Sequence, residues 1–235
     1  MLKVVDAAVP VECWSCSVAH DASRLFCEHC GKIQPPSAAD YFAVFGLVPR
    51  LNLDLGMLEH EFHKLSRKMH PDRFARASGE EKEWSLAGTA LLNDAYRTLR
   101  DPIRRTEYLL KLHGAEIGEE HSGKDRLKSG MGPSRAPADL LEEVFDLNMQ
   151  LEEMRAAHKL GEDEDPELKA NLLAAKSKFD GLVDDVDRDL RAQWTIWDDG
   201  DAAARAAAEK AMVNLIDRRR YLTNLVRDVT ETLGA

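Results

Sequence analysis

Two groups of residues in this chain have types and spacings that could do chemistry. The first is Cys13-Trp14-Ser15-Cys16 followed by Cys27-Glu28-His29-Cys30, a CxxC–x10–CxxC pattern that holds all 4 cysteines of the chain. Each pair can place two thiolates on one ion, and two pairs complete a tetrahedral S4 site with no open position for catalysis. Thiolates favour zinc or an iron–sulfur cluster. A single structural zinc on Cys13, Cys16, Cys27 and Cys30 is the expectation, with four incidental, redox-active thiols as the alternative. Gly31, directly after the second pair, lets the backbone turn back toward the ion. His20 and His29 lie close by and are not needed as ligands. A segment this short buries little core, so metal binding supplies most of its folding energy.

The second group is His70-Pro71-Asp72. Between positions 64 and 76 stand five basic residues, Lys64, Arg67, Lys68, Arg73 and Arg76, against the single acid Asp72. An acid–base role for His70 and Asp72 would require a pocket and a nucleophile or a positioned water. The neighbours are long, solvated side chains, so no catalytic residue is assigned and the chain is read as a non-enzyme. Proline stiffens the loop, leaving Asp72 free to meet an arginine on a partner. Alone, the tripeptide is no more than a helix stop with an exposed turn.

The elements that must position these groups are helical. Asp40 caps a short helix, DYFAVFGL, stopped by Gly46. Asp54 caps an amphipathic helix whose stripe is Leu55, Leu58, Phe62, Leu65 and Met69, with His60, Lys64, Arg67 and Lys68 on the opposite face. Pro71 ends it. A third helix over 80–99 should bury Trp84, Ala87, Leu91, Leu92, Ala95, Tyr96 and Leu99. Pro102 opens a fourth, closed at His113-Gly114. Residues 115–137 are polar and bear glycine and proline, as a linker does. Three helices follow, over 138–160, 166–197 and 201–233, with breaks short enough to make neighbours antiparallel. The expected division is 1–37 for the cysteine knuckle, 38–114, the linker 115–137, and the bundle 138–235.

Composition narrows the function classes. At 235 residues with 44% hydrophobic residues the chain can build a core, and no apolar run approaches 18 residues, which excludes a transmembrane helix. The net charge of −10 is uneven: 15 basic and 15 acidic residues in 1–113, 17 and 27 in 114–235. That disfavours a nucleic-acid or membrane-surface binder, and the stretch from Cys13 to Pro36, with only Arg24 and Lys32 as basic residues, is too weakly basic for a nucleic-acid adaptor. A thiol oxidoreductase would need CxxC on a βαβ unit, for which there is no strand signal. The opening residues lack an apolar signal run or an Arg-rich presequence, so a reducing, cytoplasmic setting is expected, or the mitochondrial matrix if the source is eukaryotic.

The order of these elements, with LLNDAYRTLRDPIRR after the His-Pro-Asp loop, resembles the J-domain of the DnaJ class of co-chaperones over residues 40–113. That resemblance implies that His70, Pro71 and Asp72, with Lys64, Arg67 and Lys68, dock on a DnaK-type chaperone and stimulate its ATPase. General J-proteins continue into Gly/Phe and β-rich regions; this chain continues into an acidic bundle. DPIRRTEYLLKLHG and the helices after it resemble HscB, the co-chaperone of iron–sulfur cluster biogenesis, and CWSC…RLFCEHCGKIQPP is similar to the form of that family carrying a tetracysteine zinc knuckle. The implied fold is all-α: a J-domain hairpin and an antiparallel three-helix bundle, L-shaped, with a small knuckle in front. The implied function is to recruit a DnaK/HscA-type chaperone and deliver an IscU-type scaffold protein to it. The family's scaffold-contacting strip falls on Leu141, Phe145, Asp146, Met149 and Glu153, with the last-helix aromatic at Tyr221. Glu142 stands where the family usually has an apolar residue and Met149 where it has an acid, which shifts the surface. Leu141, Phe145 and Tyr221 could equally serve as bundle core, and a J-protein for another client shares every feature except the scaffold strip. Arg218-Arg219-Arg220 reads as a salt-bridged face, and Trp194 and Trp197 as the cap of the turn between the long helices.

Overall fold

The computed structural model describes residues 10–37, 40–117, 137–161 and 163–234. They belong to two compact units, Met1–Ala115 and Glu116–Ala235. Apart from its ends, the expected linker over 115–137 lies outside the described residues.

The first unit begins with an element the sequence did not announce. Strands β1 (Pro10–Glu12) and β2 (Ala19–Asp21) pair antiparallel, with Val11 opposite His20. Three-residue strands are too short to show a period-two pattern. Their register follows from the turn that carries Cys13 and Cys16. A single bridge, Phe26 to Ile33, closes the second turn in the same way.

Helix α1 (Tyr41–Val44) starts at Asp40, whose carboxylate accepts from the Phe42 N–H. Asp54 caps α2 (Leu55–Met69) by accepting from the Met57 N–H. A 3-10 turn over Pro71–Phe74 leads to α3 (Gly79–Arg100), which opens on a reciprocal capping box between Ser78 and Glu81. Each such cap satisfies helix N–H groups that otherwise lack partners. Asp101 and Pro102 start α4 (Pro102–Leu112). Tyr108 of α4 stacks on Tyr41 at 4.5 Å, takes the Tyr41 N–H at 2.8 Å and lies 3.3 Å from Asp40, locking α1 onto α4.

Two positions depart from the expected apolar stripes. Leu55 is exposed, so α2 reaches the core through Leu58 and Met69, with Phe62 stacked on Tyr96 at 4.1 Å. On α3 the buried set is Ser85, Gly88, Leu92, Ala95 and Leu99, while Ala87 faces outward. A helix face chosen by hydrophobicity alone missed Ser85 and Gly88, because the close crossing of α2 and α3 selects small residues there.

In the second unit a 3-10 turn (Ala138–Leu140) leads into α5 (Leu141–Leu160), followed by α6 (Pro166–Asp199) and α7 (Ala202–Thr232). Gly161, at φ 70°, ends α5 in the left-handed conformation that glycine adopts without a steric penalty. Leu140, Val144, Leu147, Leu151 and Met154 pack against Leu168, Leu172, Phe179 and Val186 of α6 and Leu222, Leu225 and Val229 of α7. At 20 residues, α5 is much shorter than the 34 of α6 and 31 of α7. It spans roughly 30 Å against roughly 50 Å, so it covers only part of the pair. The remainder of α6 and α7 buries Leu190, Trp194, Trp197, Ala208, Met212 and Ile216. Trp197 lies at the α6–α7 turn with the Arg205 guanidinium 5.8 Å from its ring, as expected for a turn cap.

Candidate functional site

The two cysteine turns are built alike. Ser17 N–H donates to the Cys13 carbonyl and Gly31 N–H to the Cys27 carbonyl, both at 2.9 Å. Each donor sits at positive φ, 58° for Ser17 and 72° for Gly31, and Ser17 is the only such non-glycine among the described residues. The four Sγ atoms lie within 4.8 Å of one another, with Cys13 to Cys30 at 3.6 Å and Cys16 to Cys27 at 3.8 Å. A disulfide requires about 2.05 Å. A tetrahedral ion with zinc–sulfur bonds of about 2.3 Å gives sulfur–sulfur edges of about 3.8 Å. The donor set and its spacing fit a metal ion.

Packed this closely, the thiols shift one another's ionisation. Burial pushes the Cys13 thiol up, but the N–H groups of Ser15 and Cys16 and the thiols of Cys30 and Cys16 outweigh it and bring it down to about 6. Cys16 goes the other way: the Val18 N–H favours its thiolate, yet burial and its three fellow thiols push it up to about 12. A cation bound among them would hold all four as thiolates. Gln34, buried, donates to Cys13 Sγ at 3.3 Å and lies 3.1 Å from His20 Nε2. His20 thus stands behind the thiols as a support, and His29 is exposed.

His70 ends α2 and caps the turn after it, its Nδ1 accepting from the Asp72 N–H at 3.3 Å and lying 3.5 Å from the Asp72 carboxylate. Their side chains are 59% and 90% exposed, so no wall excludes water from the pair. Lys64, Arg67 and Lys68 are exposed on α2, and Pro71 and Asp72 project beyond its end. What holds the loop is underneath. Met69 is buried, and its carbonyl accepts from Ser85 Oγ of α3 at 2.7 Å.

On α5, Leu141, Phe145 and Met149 are 55%, 64% and 57% exposed. At 100° per residue they lie roughly 130° around the helix from the core face. Asp146 and Glu153, also exposed, flank them. The helix is apolar on two sides, and the bundle covers one.

No protein-family model matches the chain. Among curated proteins, the mouse iron–sulfur cluster co-chaperone protein HscB is 32% identical over 176 residues, covering 73% of this chain and 68% of that protein. Human HscB is 40% identical over 111 residues, about half of either chain (46% and 47%). The crystal structure of human HscB superposes with a TM-score of 0.63 at 25% identity, covering 94% of this chain and 98% of that one. HscB from Vibrio cholerae gives 0.55 at 26% identity, over 83% and 98%. The chain belongs to the HscB family.

Within this HscB-family fold the other sequence-derived positions are also placed. Tyr221 is half-buried against the bundle core, and that burial pushes its phenol up. Arg218 makes a two-pronged ion pair with Asp139, at 2.9 and 2.7 Å, and Arg219 pairs with Asp187 at 2.6 Å. The arginine run is salt-bridged, as its composition suggested. Among the described residues no helix is long and apolar enough to cross a membrane.

Sequence reasoning missed that the HscB knuckle is seated on the J-domain. Trp14, between the first two cysteines, meets Trp84 of α3 edge-on at 5.8 Å. Lys32 pairs with Glu81 at 3.6 Å, and Lys68 of α2 lies 5.9 Å from the Phe26 ring. The Arg24 guanidinium rests over Gly46, in space that any side chain there would occupy. Gly46, at φ 69°, therefore serves the helix stop and the docking together. An aromatic between two ligands was visible in the sequence, but its partner 70 positions away was not.

Proposed function

We propose that this chain is a non-enzymatic co-chaperone that stimulates the ATPase of a DnaK/HscA-type chaperone and delivers to it an IscU-type iron–sulfur scaffold protein. The observation that carries the reading is the exposed His70-Pro71-Asp72 turn at the end of a helix whose outer face is Lys64, Arg67 and Lys68, in a chain whose relatives are named iron–sulfur cluster co-chaperones. Those cations steer an acidic surface of the chaperone toward the loop, and Asp72 is free to pair with an arginine there. The scaffold is received on Leu141, Phe145, Asp146, Met149 and Glu153 of α5, with Tyr221 contributing from α7. An apolar strip beside acids, left uncovered by its own bundle, is what a partner surface requires.

The metal is zinc, held by Cys13, Cys16, Cys27 and Cys30. Bound there it supplies folding energy, since four protein ligands leave no position for a substrate.

The test is steady-state ATP hydrolysis by a purified DnaK/HscA-type chaperone with and without this chain and an IscU-type scaffold. Stimulation by the wild type, its loss in His70→Gln, and undiminished scaffold capture by that variant are expected. Stimulation that survives in His70→Gln overturns the J-domain reading. Failure to capture the scaffold with stimulation intact assigns the chain to another client, the direction in which Glu142 and Met149 depart from the family strip.

A further inference from the structure

Between the knuckle and the J-domain hairpin runs an open cleft of about 990 Å³. Arg24 and Lys32 of the knuckle, Lys64 and Lys68 of α2, and Arg73 and Arg76 from the segment between α2 and α3 all line it. The three carboxylates on its walls each answer one cation: Glu28 with Arg24 at 3.4 Å, Glu81 with Lys32 at 3.6 Å, Glu61 with Lys64 at 2.9 Å. Among the described residues Lys68, Arg73 and Arg76 have no carboxylate partner. The cleft therefore carries a surplus of three positive charges in a chain whose total is −10. Its mouth is continuous with the His-Pro-Asp turn, since Arg73 and Phe74 belong to both, and Arg76 follows two residues after the turn. Phe26, with Lys68 against its ring, supplies an apolar patch on the knuckle wall.

The geometry points to the knuckle as the second wall of the chaperone-docking site: an acidic segment of the DnaK-type chaperone seats in this cleft, against Arg24 and Phe26 on one side and Lys68, Arg73 and Arg76 on the other. The inference rests on the J-domain reading above and extends it to a part of the chain that a hairpin alone does not supply. A surface that covers His70 and Asp72 on the side of residues 73–76 must cross the mouth of the cleft. Acidic groups entering there meet unpaired cations, and Glu28 competes with them for Arg24. Removing Glu28 strengthens docking, and reversing Arg24 weakens it. A knuckle that only stabilises the fold would show neither change, or would lose function in both variants.

The experiment titrates the full-length, metal-loaded chain against a DnaK-type chaperone at fixed low salt and reads the concentration giving half-maximal ATPase stimulation. Glu28→Gln should lower that concentration about threefold and Arg24→Glu should raise it about tenfold, with one metal ion per chain and an unchanged near-ultraviolet signal from Trp14 and Trp84 in both. Equal titration curves for wild type and both variants overturn the inference while leaving the J-domain reading intact; a wild type that does not stimulate overturns both. A 20-nucleotide RNA that binds with the same sensitivity to Arg24→Glu, while stimulation is unmoved, makes the cleft a phosphate site and also overturns it.

Discussion

Met69 and Gly88 form the close crossing of α2 and α3: a Cβ on Gly88 would stand 2.8 Å from Met69 Cε and 3.1 Å from its sulfur, with Leu25 of the knuckle 3.6 Å away. Knuckle, helix pair and His-Pro-Asp turn therefore meet at one buried point. Met69 is the residue before His70, and its carbonyl is tied to Ser85. Gly88→Val overpacks this point and should cost about 2 kcal/mol. Gly88→Ala should be near neutral, because the gain in helix propensity of roughly 0.5–1 kcal/mol offsets a shift of the flexible methionine tip. Urea unfolding of the two variants checks the order; an Ala variant as damaged as the Val variant would show that the crossing has no slack.

Ser85→Ala leaves the Met69 carbonyl buried without its hydroxyl donor, at a cost of about 1–3 kcal/mol. Because that carbonyl is one peptide from His70, chaperone stimulation should fall although no partner-facing side chain has changed. Stimulation equal to wild type at temperatures well below unfolding would detach the loop's position from Ser85.

Removing the metal should unseat the knuckle but spare the bundle. With a chelator of high zinc affinity, the near-ultraviolet signal of Trp14 and Trp84 should collapse, while α5, α6 and α7 keep their far-ultraviolet helicity. Ser17→Gly relieves a left-handed backbone that costs a non-glycine residue about 1 kcal/mol, and should make the ion severalfold harder to extract in a chromophoric chelator competition. Faster extraction would mean that the Ser17 side chain itself secures the turn.

Phe145→Ala should leave the bundle's melting temperature within experimental scatter, since the ring is 64% exposed. It should weaken scaffold capture about tenfold, as loss of an aromatic anchor does. A melting temperature lowered by many degrees would return Phe145 to the core.

Acid should loosen the bundle at the start of α5. The Arg218 guanidinium holds the Asp139 carboxyl below the usual carboxylate range, so the pair contributes above the unfolded value near 4 and is lost as pH falls through the depressed one. Asp139→Asn should therefore lower stability at pH 7 and flatten the loss between about pH 5 and 2. Thermal melts across that range test it; parallel wild-type and variant curves would show that the ion pair carries no linkage.

The sequence by itself determined the cysteine ligand set, the capped helices, the exposed His-Pro-Asp turn and the acidic bundle. These are local: Asp40 and Asp54 act on N–H groups two or three residues away, as do Ser78 and Asp101, which the structure adds, and CxxC spacing is a matter of one turn. It left open whether Leu141 and Phe145 were core or surface, because a helix apolar on two sides does not say which side its neighbours take. Only the tertiary structure decided that, by packing Leu140, Val144 and Leu147 inward and leaving the other strip bare. It also decided that Ser85 and Gly88, rather than Ala87, form the inner face of α3, and that Trp14 finds Trp84 to seat the knuckle on the hairpin. Those outcomes depend on how closely two surfaces approach, and residues far apart in the chain carry no mark of that distance until the chain has folded.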